Sequence, residues 1–185
     1  CAYCDFYSLA GRDPAGYSKA IINQIKSYRG ILADKTVDTV FFGGGTPTIL
    51  PASYITEIMS ALCAYTNVSS DAEITIEANP GTIDGEKLSK YRGAGVNRLS
   101  LGLQSADDKE LFMLSRIHTK EQFENSFLLA RMEGFENITY PAKLTKFLYK
   151  RFKKEGNYMK KGNPWALLPI GVFLAIYLGL GLTFE

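Results

Sequence analysis

A chain of 185 residues, 46% apolar and 22% charged, has room for one domain with an ordinary core and for a second small one. Its 21 basic and 19 acidic residues leave a formal charge of +2, which argues against a dedicated nucleic-acid binder. Three cysteines make no disulfide framework, and no secretory signal opens the chain, so thiols held for a metal or cluster suit a reducing, cytoplasmic setting. The averages hide a change along the chain. The first 138 residues or so are mixed in character, 143–161 are strongly basic, and from Pro164 to Phe184 no charged residue occurs.

The chain opens on Cys1-Ala2-Tyr3-Cys4. Two thiolates at this spacing converge on one metal ion or cluster, although zinc sites and redox dithiols use the same spacing. Residues 14–28 have helical periodicity, with Tyr17, Ala20, Ile21, Ile25 and Tyr28 on one side, Pro14 suited to a first turn and Gly30 to a stop. The apolar run 37–42 predicts a buried parallel strand that ends in Gly43-Gly44-Gly45-Thr46-Pro47. Residues 51–65 predict a helix in which Cys63 packs as a small apolar side chain. A strand over 73–77 closes on Asn79-Pro80-Gly81, and a helix over 84–91 is ended by Gly93 and Gly95. A third strand over 98–103 and helices over 106–114 and 120–132 complete the pattern.

Strand and helix alternating at this spacing predict an α/β fold with a parallel sheet or β/α barrel, in which ligands bind at the carboxyl ends of the strands. Those ends carry Gly43 to Thr46, Glu77 and Gln104. Glycines there let a ligand approach backbone N–H groups, or simply form a tight strand-to-helix turn. Taken singly, Glu77, Gln104 and Arg116 also suit a solvated face. His118, the only histidine, reads as a surface residue at a helix start.

Together these residues resemble the radical S-adenosylmethionine (SAM) superfamily and, within it, the coproporphyrinogen dehydrogenase-like proteins of the HemW heme-chaperone branch. The resemblance rests on Cys1-Ala-Tyr-Cys4, Gly43 to Pro47, Ile76-Glu77-Ala-Asn79-Pro80, Gly102-Leu-Gln104-Ser105 and Leu114-Ser-Arg116-Ile-His118, in family order over residues 1–137. It implies an incomplete partial (β/α) barrel. Cys1 and Cys4 become the second and third ligands of a [4Fe-4S] cluster, and Tyr3 lies against SAM. Gly44, Gly45 and Thr46 meet the methionyl amino end, Glu77 the ribose hydroxyls, and Gln104 and Arg116 the carboxylate. Phe6 stands where the true coproporphyrinogen dehydrogenases have another cysteine, which favours heme handling over oxygen-independent porphyrinogen decarboxylation. Heme or a porphyrin is the implied cargo, with an electron donor and a heme-accepting protein of unspecified identity. The family's first cluster cysteine would lie four positions before Cys1. The expectation is therefore that this polypeptide alone holds no stable cluster and is inactive. A zinc module, the competing use of C-x-x-C, needs two further ligands, and Cys63 and His118 are too isolated to supply them.

The resemblance is expected to break near Ile138, leaving three core strands. Residues 139–158 then read as a basic linker, or as translated intergenic DNA, because codons for Lys154-Glu155-Gly156 can spell a ribosome-binding sequence ahead of Met159. Residues 159–185 weakly resemble the start of an NhaC-type Na+/H+ antiporter. The apolar run 164–184 is long enough for one transmembrane helix, with its basic flank cytoplasmic; a buried core helix is the alternative.

Overall fold

The computed structural model describes residues 14–140, with side chains from residue 16 onward. Cys1, Tyr3, Cys4 and Phe6, the basic stretch from residue 141, and the predicted membrane span over 164–184 lie outside the described residues. Among those described, no helix is long and apolar enough to cross a membrane.

The elements alternate as α1 (Pro14–Ser27), α2 (Arg29–Leu32), β1 (Thr36–Phe42), α3 (Ala52–Tyr65), β2 (Asn67–Ala78), α4 (Gly85–Gly93), β3 (Arg98–Leu101), α5 (Asp108–Met113), α6 (Lys120–Met132) and β4 (Asn137–Thr139), with one 3-10 turn at Pro47–Ile49. The four strands form one parallel sheet in the order β1-β2-β3-β4. Strand alternation gives this sheet two different faces. One carries Ile74, Ile76, Ala78, Leu99 and Leu101, all buried. The other carries Thr75 and Glu77 of β2 opposite Arg98 and Ser100 of β3, with Asn137 and Thr139 of β4 beyond.

α3 packs on β2 and against α1 and α4, and α4 contacts α6, so the helices supply Ile55, Met59, Leu88, Tyr91, Phe123 and Phe127 to the core. Each such side chain removed from water stabilises the fold by ~1.5–3 kcal/mol before entropy is counted. Capping fixes where the helices begin. Asp84 Oδ1 accepts the Lys87 N–H (2.8 Å), Asp107 accepts those of Lys109 and Glu110, and Thr119 with Gln122 forms a capping box on α6.

Several expectations change. β1 is half exposed, because among the described residues it pairs only with β2. β2 starts at Asn67, six residues before the predicted strand; Asn67 and Val68 pair with Thr36 and Val37, and the register then shifts before Thr39 meets Glu73. A fourth strand exists where a break was expected, and Thr139 belongs to it. Arg98 of β3 donates through Nε and a terminal nitrogen to Thr139 Oγ1 (3.1 Å each) and pairs with Glu73 (2.6 Å). Tyr140 meets Phe123 and Phe127 edge-on. The sheet therefore reaches Thr139. On α1, Ile21 and Ile25 of the side read from the sequence are half-buried beside the buried Ser18, whereas Tyr17 and Ala20 are exposed, and Tyr28 lies past the helix end, also exposed. Gly30 lies inside α2 and stops nothing. Cys63 is exposed on α3 and is no core residue.

Candidate functional site at the carboxyl rim

β1 leaves the sheet at Gly43. A Cβ there would overlap the Phe41 ring and come within 3.3 Å of Glu77 Oε2. Gly44 has φ +112°, a conformation that glycine alone adopts readily, and its N–H donates to Glu77 Oε2 (3.3 Å). Among the described residues, a Cβ on Gly44 or Gly45 would meet nothing within 4 Å. The glycines thus serve both readings. Gly43 is required by packing and Gly44 by backbone geometry, while Gly45 leaves room for a ligand. Glu77 is half-buried, and burial pushes its pKa above the ordinary carboxylate value, partly opposed by the Gly44 N–H.

Beyond Glu77, the alternation of β2 returns Asn79 to the same face. Asn79 Nδ2 donates to Thr46 Oγ1 (2.8 Å), and Asn79 Oδ1 accepts from Arg116 (3.0 Å). Thr46 in turn donates to Gly45 O (2.6 Å). The Asn79 backbone carbonyl is held by the Thr82 N–H (3.1 Å) and hydroxyl (2.7 Å).

After β3 the chain turns sharply. The Ser105 N–H donates to Leu103 O across Gln104 (3.0 Å), and Gln104 has φ 73°. This is a three-residue γ-turn of the rare, strained hand. Gln104 therefore sits in a tight turn beyond the strand rather than at its end. Its Nε2 lies 3.5 Å from where a Cβ on Gly102 would be, beside Asn79 Oδ1 at 2.9 Å from the same point. The Ser105 hydroxyl donates to Glu110 (2.5 Å) and accepts the Asp107 N–H (3.1 Å), which ties the turn to α5.

α5 ends on Ser115 at φ 54°. Ser115 N–H reaches Phe112 O and Arg116 N–H reaches Leu111 O (2.9 Å each). That pair of bonds is a Schellman cap, with serine in the left-handed place usually held by glycine. It turns Arg116 back toward Asn79. His118, expected on the surface, is 4% exposed, and its Nε2 bonds Leu103 O (3.1 Å). Burial holds its pKa below the ordinary imidazole value, against the opposing effect of that bond, so the neutral ring donates. His118 thus grips the residue that begins the Gln104 turn.

The structure gathers Gly44, Gly45, Thr46, Glu77, Gln104 and Arg116 on one rim. Asn79 and His118 are the residues whose part the sequence left unread. Strand alternation from Glu77 was the available signal for Asn79. Among the described residues no group of three or more His, Cys, Asp or Glu side chains could hold a metal ion, and the cluster ligands assigned to Cys1 and Cys4 lie outside them.

A parallel sheet with a glycine turn, a carboxylate, an amide and a guanidinium on its carboxyl rim defines an α/β protein with a candidate ligand site at its strand ends. The family model of the Radical SAM superfamily matches residues 1–144. HemW of Escherichia coli (strain K12) is 36% identical over 141 residues, covering 75% of this chain and 37% of that protein. The mitochondrial radical S-adenosyl methionine domain-containing protein 1 of Bos taurus is 37% identical over 121 residues, covering 64% of this chain and 27% of that protein. Coproporphyrinogen III oxidase (HemN) from Escherichia coli superposes with a TM-score of 0.71 at 26% identity, covering 84% of this chain and 39% of its own. The chain belongs to the radical SAM superfamily and, within it, to the HemW/HemN-like family. It spans about a third of the length of the curated relatives it matches.

Proposed function

We propose that this chain is the SAM-binding portion of a HemW-like protein that handles heme. The reading is carried by the bonds that join Thr46, Asn79 and Arg116 beside the Gly44–Glu77 contact. They bring an oxygen acceptor, a guanidinium and a carboxylate to the ends of adjacent parallel strands, where such folds bind ligands. Glu77 would accept the ribose hydroxyls. Among the described residues its partly buried carboxylate has one N–H donor, and further donors would offset the cost of its charge. Gly44, Gly45 and Thr46 would meet the methionyl amino group above the turn, where no described residue comes within 4 Å of a Cβ on either glycine. Gln104 and Arg116 would hold the carboxylate, a task to which the donor geometry of guanidinium is suited.

Tyr3 would lie against SAM, and Cys1 and Cys4 would be two of the ligands of a [4Fe-4S] cluster. When bound, that cluster supplies the electron for reductive cleavage of the SAM sulfonium, and the protein's task is positioning. Heme is the cargo of this reading, and its setting is the cytoplasm. The porphyrinogen-oxidising alternative is not favoured, given the HemW relatives and Phe6. Titrating SAM and, separately, heme into the 185-residue chain under anaerobic conditions tests the reading. Saturable binding of SAM is expected, weakened about tenfold or more by Glu77→Ala and by Arg116→Ala. A native chain that binds neither SAM nor heme refutes it.

A further inference from the structure

Asn79 uses both ends of its amide, and its neighbours fix which end is which. A guanidinium only donates, so the Arg116 contact at 3.0 Å must be to Oδ1. The Thr46 contact at 2.8 Å is then from Nδ2. This assignment propagates. Thr46 Oγ1 accepts from Asn79 and spends its one hydrogen on Gly45 O at 2.6 Å. Whatever else meets Thr46 Oγ1 must bring a donor. On the other side, Arg116 offers only donors, and whatever meets it must bring an acceptor. One amide thereby makes its two neighbours opposite in hydrogen-bonding sense.

The zwitterionic end of an amino acid has that same opposition, an ammonium group beside a carboxylate. We propose that Asn79 is a positioning residue that sorts the polarity of this pocket. It fixes Thr46 as acceptor for the ammonium and Arg116 as donor for the carboxylate, before the ligand arrives. The inference rests on the reading of the rim as a SAM site. Two further features hold the amide in place. Thr82 bonds the Asn79 carbonyl through both its N–H and its hydroxyl, which leaves the side chain little freedom at its base. Gly102 provides clearance, since a Cβ there would stand 2.9 Å from Asn79 Oδ1. The Gly102 φ is not in the left-handed region, so alanine at that position is limited by contact and not by backbone strain.

The test compares SAM with decarboxylated SAM, which keeps the adenosyl group and the amine but lacks the carboxylate. Both are titrated into the full chain carrying the native residue, Asn79→Asp, Asn79→Leu or Gly102→Ala. In Asn79→Asp a carboxylate pairs with Arg116 and competes with the ligand for it; in Asn79→Leu both bonds disappear. Gly102→Ala pushes the amide aside without changing its chemistry, and so covers the case in which an Asn79 variant fails to fold. SAM affinity is expected to fall about tenfold or more in each variant, and that of decarboxylated SAM, which keeps the ammonium at Thr46 but has nothing for Arg116, by a clearly smaller factor. Equal losses for both ligands would show Asn79 to be structural only and overturn the inference, as would unchanged SAM affinity. If the native chain binds neither ligand, the SAM reading itself fails, and that result is distinct from either of the others.

Discussion

Replacing Gln104 by glycine is expected to stabilise the domain while weakening its rim site. Gln104 is held at φ 73° by the Ser105 N–H to Leu103 O bond, with His118 bound to the same carbonyl. A side chain in such a conformation costs about 1–2 kcal/mol. Glycine removes that strain, but its greater freedom in the unfolded chain takes back about 0.5–1 kcal/mol. The Gln104 side chain is only half-buried, so little burial is lost. The balance is a gain of about 0.5–1 kcal/mol, or up to about 3 °C in Tm for a domain of this size.

Ser115→Gly is the matched control. Ser115 has φ 54° in the cap of α5, is exposed, and belongs to no proposed ligand contact. It should gain a similar amount. Urea unfolding of the native chain and both variants gives the stabilities, and SAM titration gives the affinities. Both variants should be more stable, and only Gln104→Gly should bind SAM more weakly. A loss of 1 kcal/mol or more in Gln104→Gly, beside a gain in Ser115→Gly, would refute the strain argument.

Two further outcomes follow from buried polar groups. Glu77 has a raised pKa in the folded chain, so its neutral form is favoured there; the stability it contributes is present below the unfolded value and is lost as pH rises through the folded one. Glu77→Gln should flatten that part of the stability–pH curve, and an unchanged slope counts against burial as the cause. SAM affinity of the native chain should rise over the same interval as the carboxylate becomes an acceptor. Tyr91 is fully buried, its hydroxyl has no hydrogen-bond partner among the described residues, and burial together with the charge of Asp84 pushes its pKa up to about 12. Tyr91→Phe keeps the ring packing and removes the unsatisfied group, so unfolding free energy should rise by about 1 kcal/mol; a comparable fall in a denaturation curve would reveal an unseen partner.

The elements most legible in the sequence were those whose local chemistry and packing agree. α6 runs over the predicted residues because a capping box opens it and Gly134 follows its end. The strand cores at 37–42 and 73–77 were visible in the sequence, and the rim residues followed from where those strands end. β4 was not, because three residues are too few to show alternation. Its place is set by pairing with β3 and by the reach of Arg98 to Thr139, contacts between distant parts of the chain. The polar start of β2 was hidden for a similar reason, since partners in β1 and not composition make it extended. His118 was misplaced because a lone histidine carries no sign of the carbonyl that will receive it.

The clearest case concerns Arg116. Three helices end in the same cap. In α4 the left-handed residue is Gly95, followed by Val96; in α6 it is Gly134, followed by Phe135. Val96 and Phe135 are both fully buried. An apolar residue after such a cap packs back on its own helix and leads the chain to the next strand. α5 has the same two backbone bonds, yet serine fills the glycine place and Arg116 the apolar one. No strand follows it. The cap instead throws a guanidinium toward the end of β2, where Asn79 receives it, and two residues later His118 fastens the connection to Leu103. A position used twice for core packing is thus used the third time to aim a charged group at the rim. The absence of glycine at Ser115 conceals the cap from a reading of the sequence. That same serine makes the helix end a place where stability can be added without loss of binding.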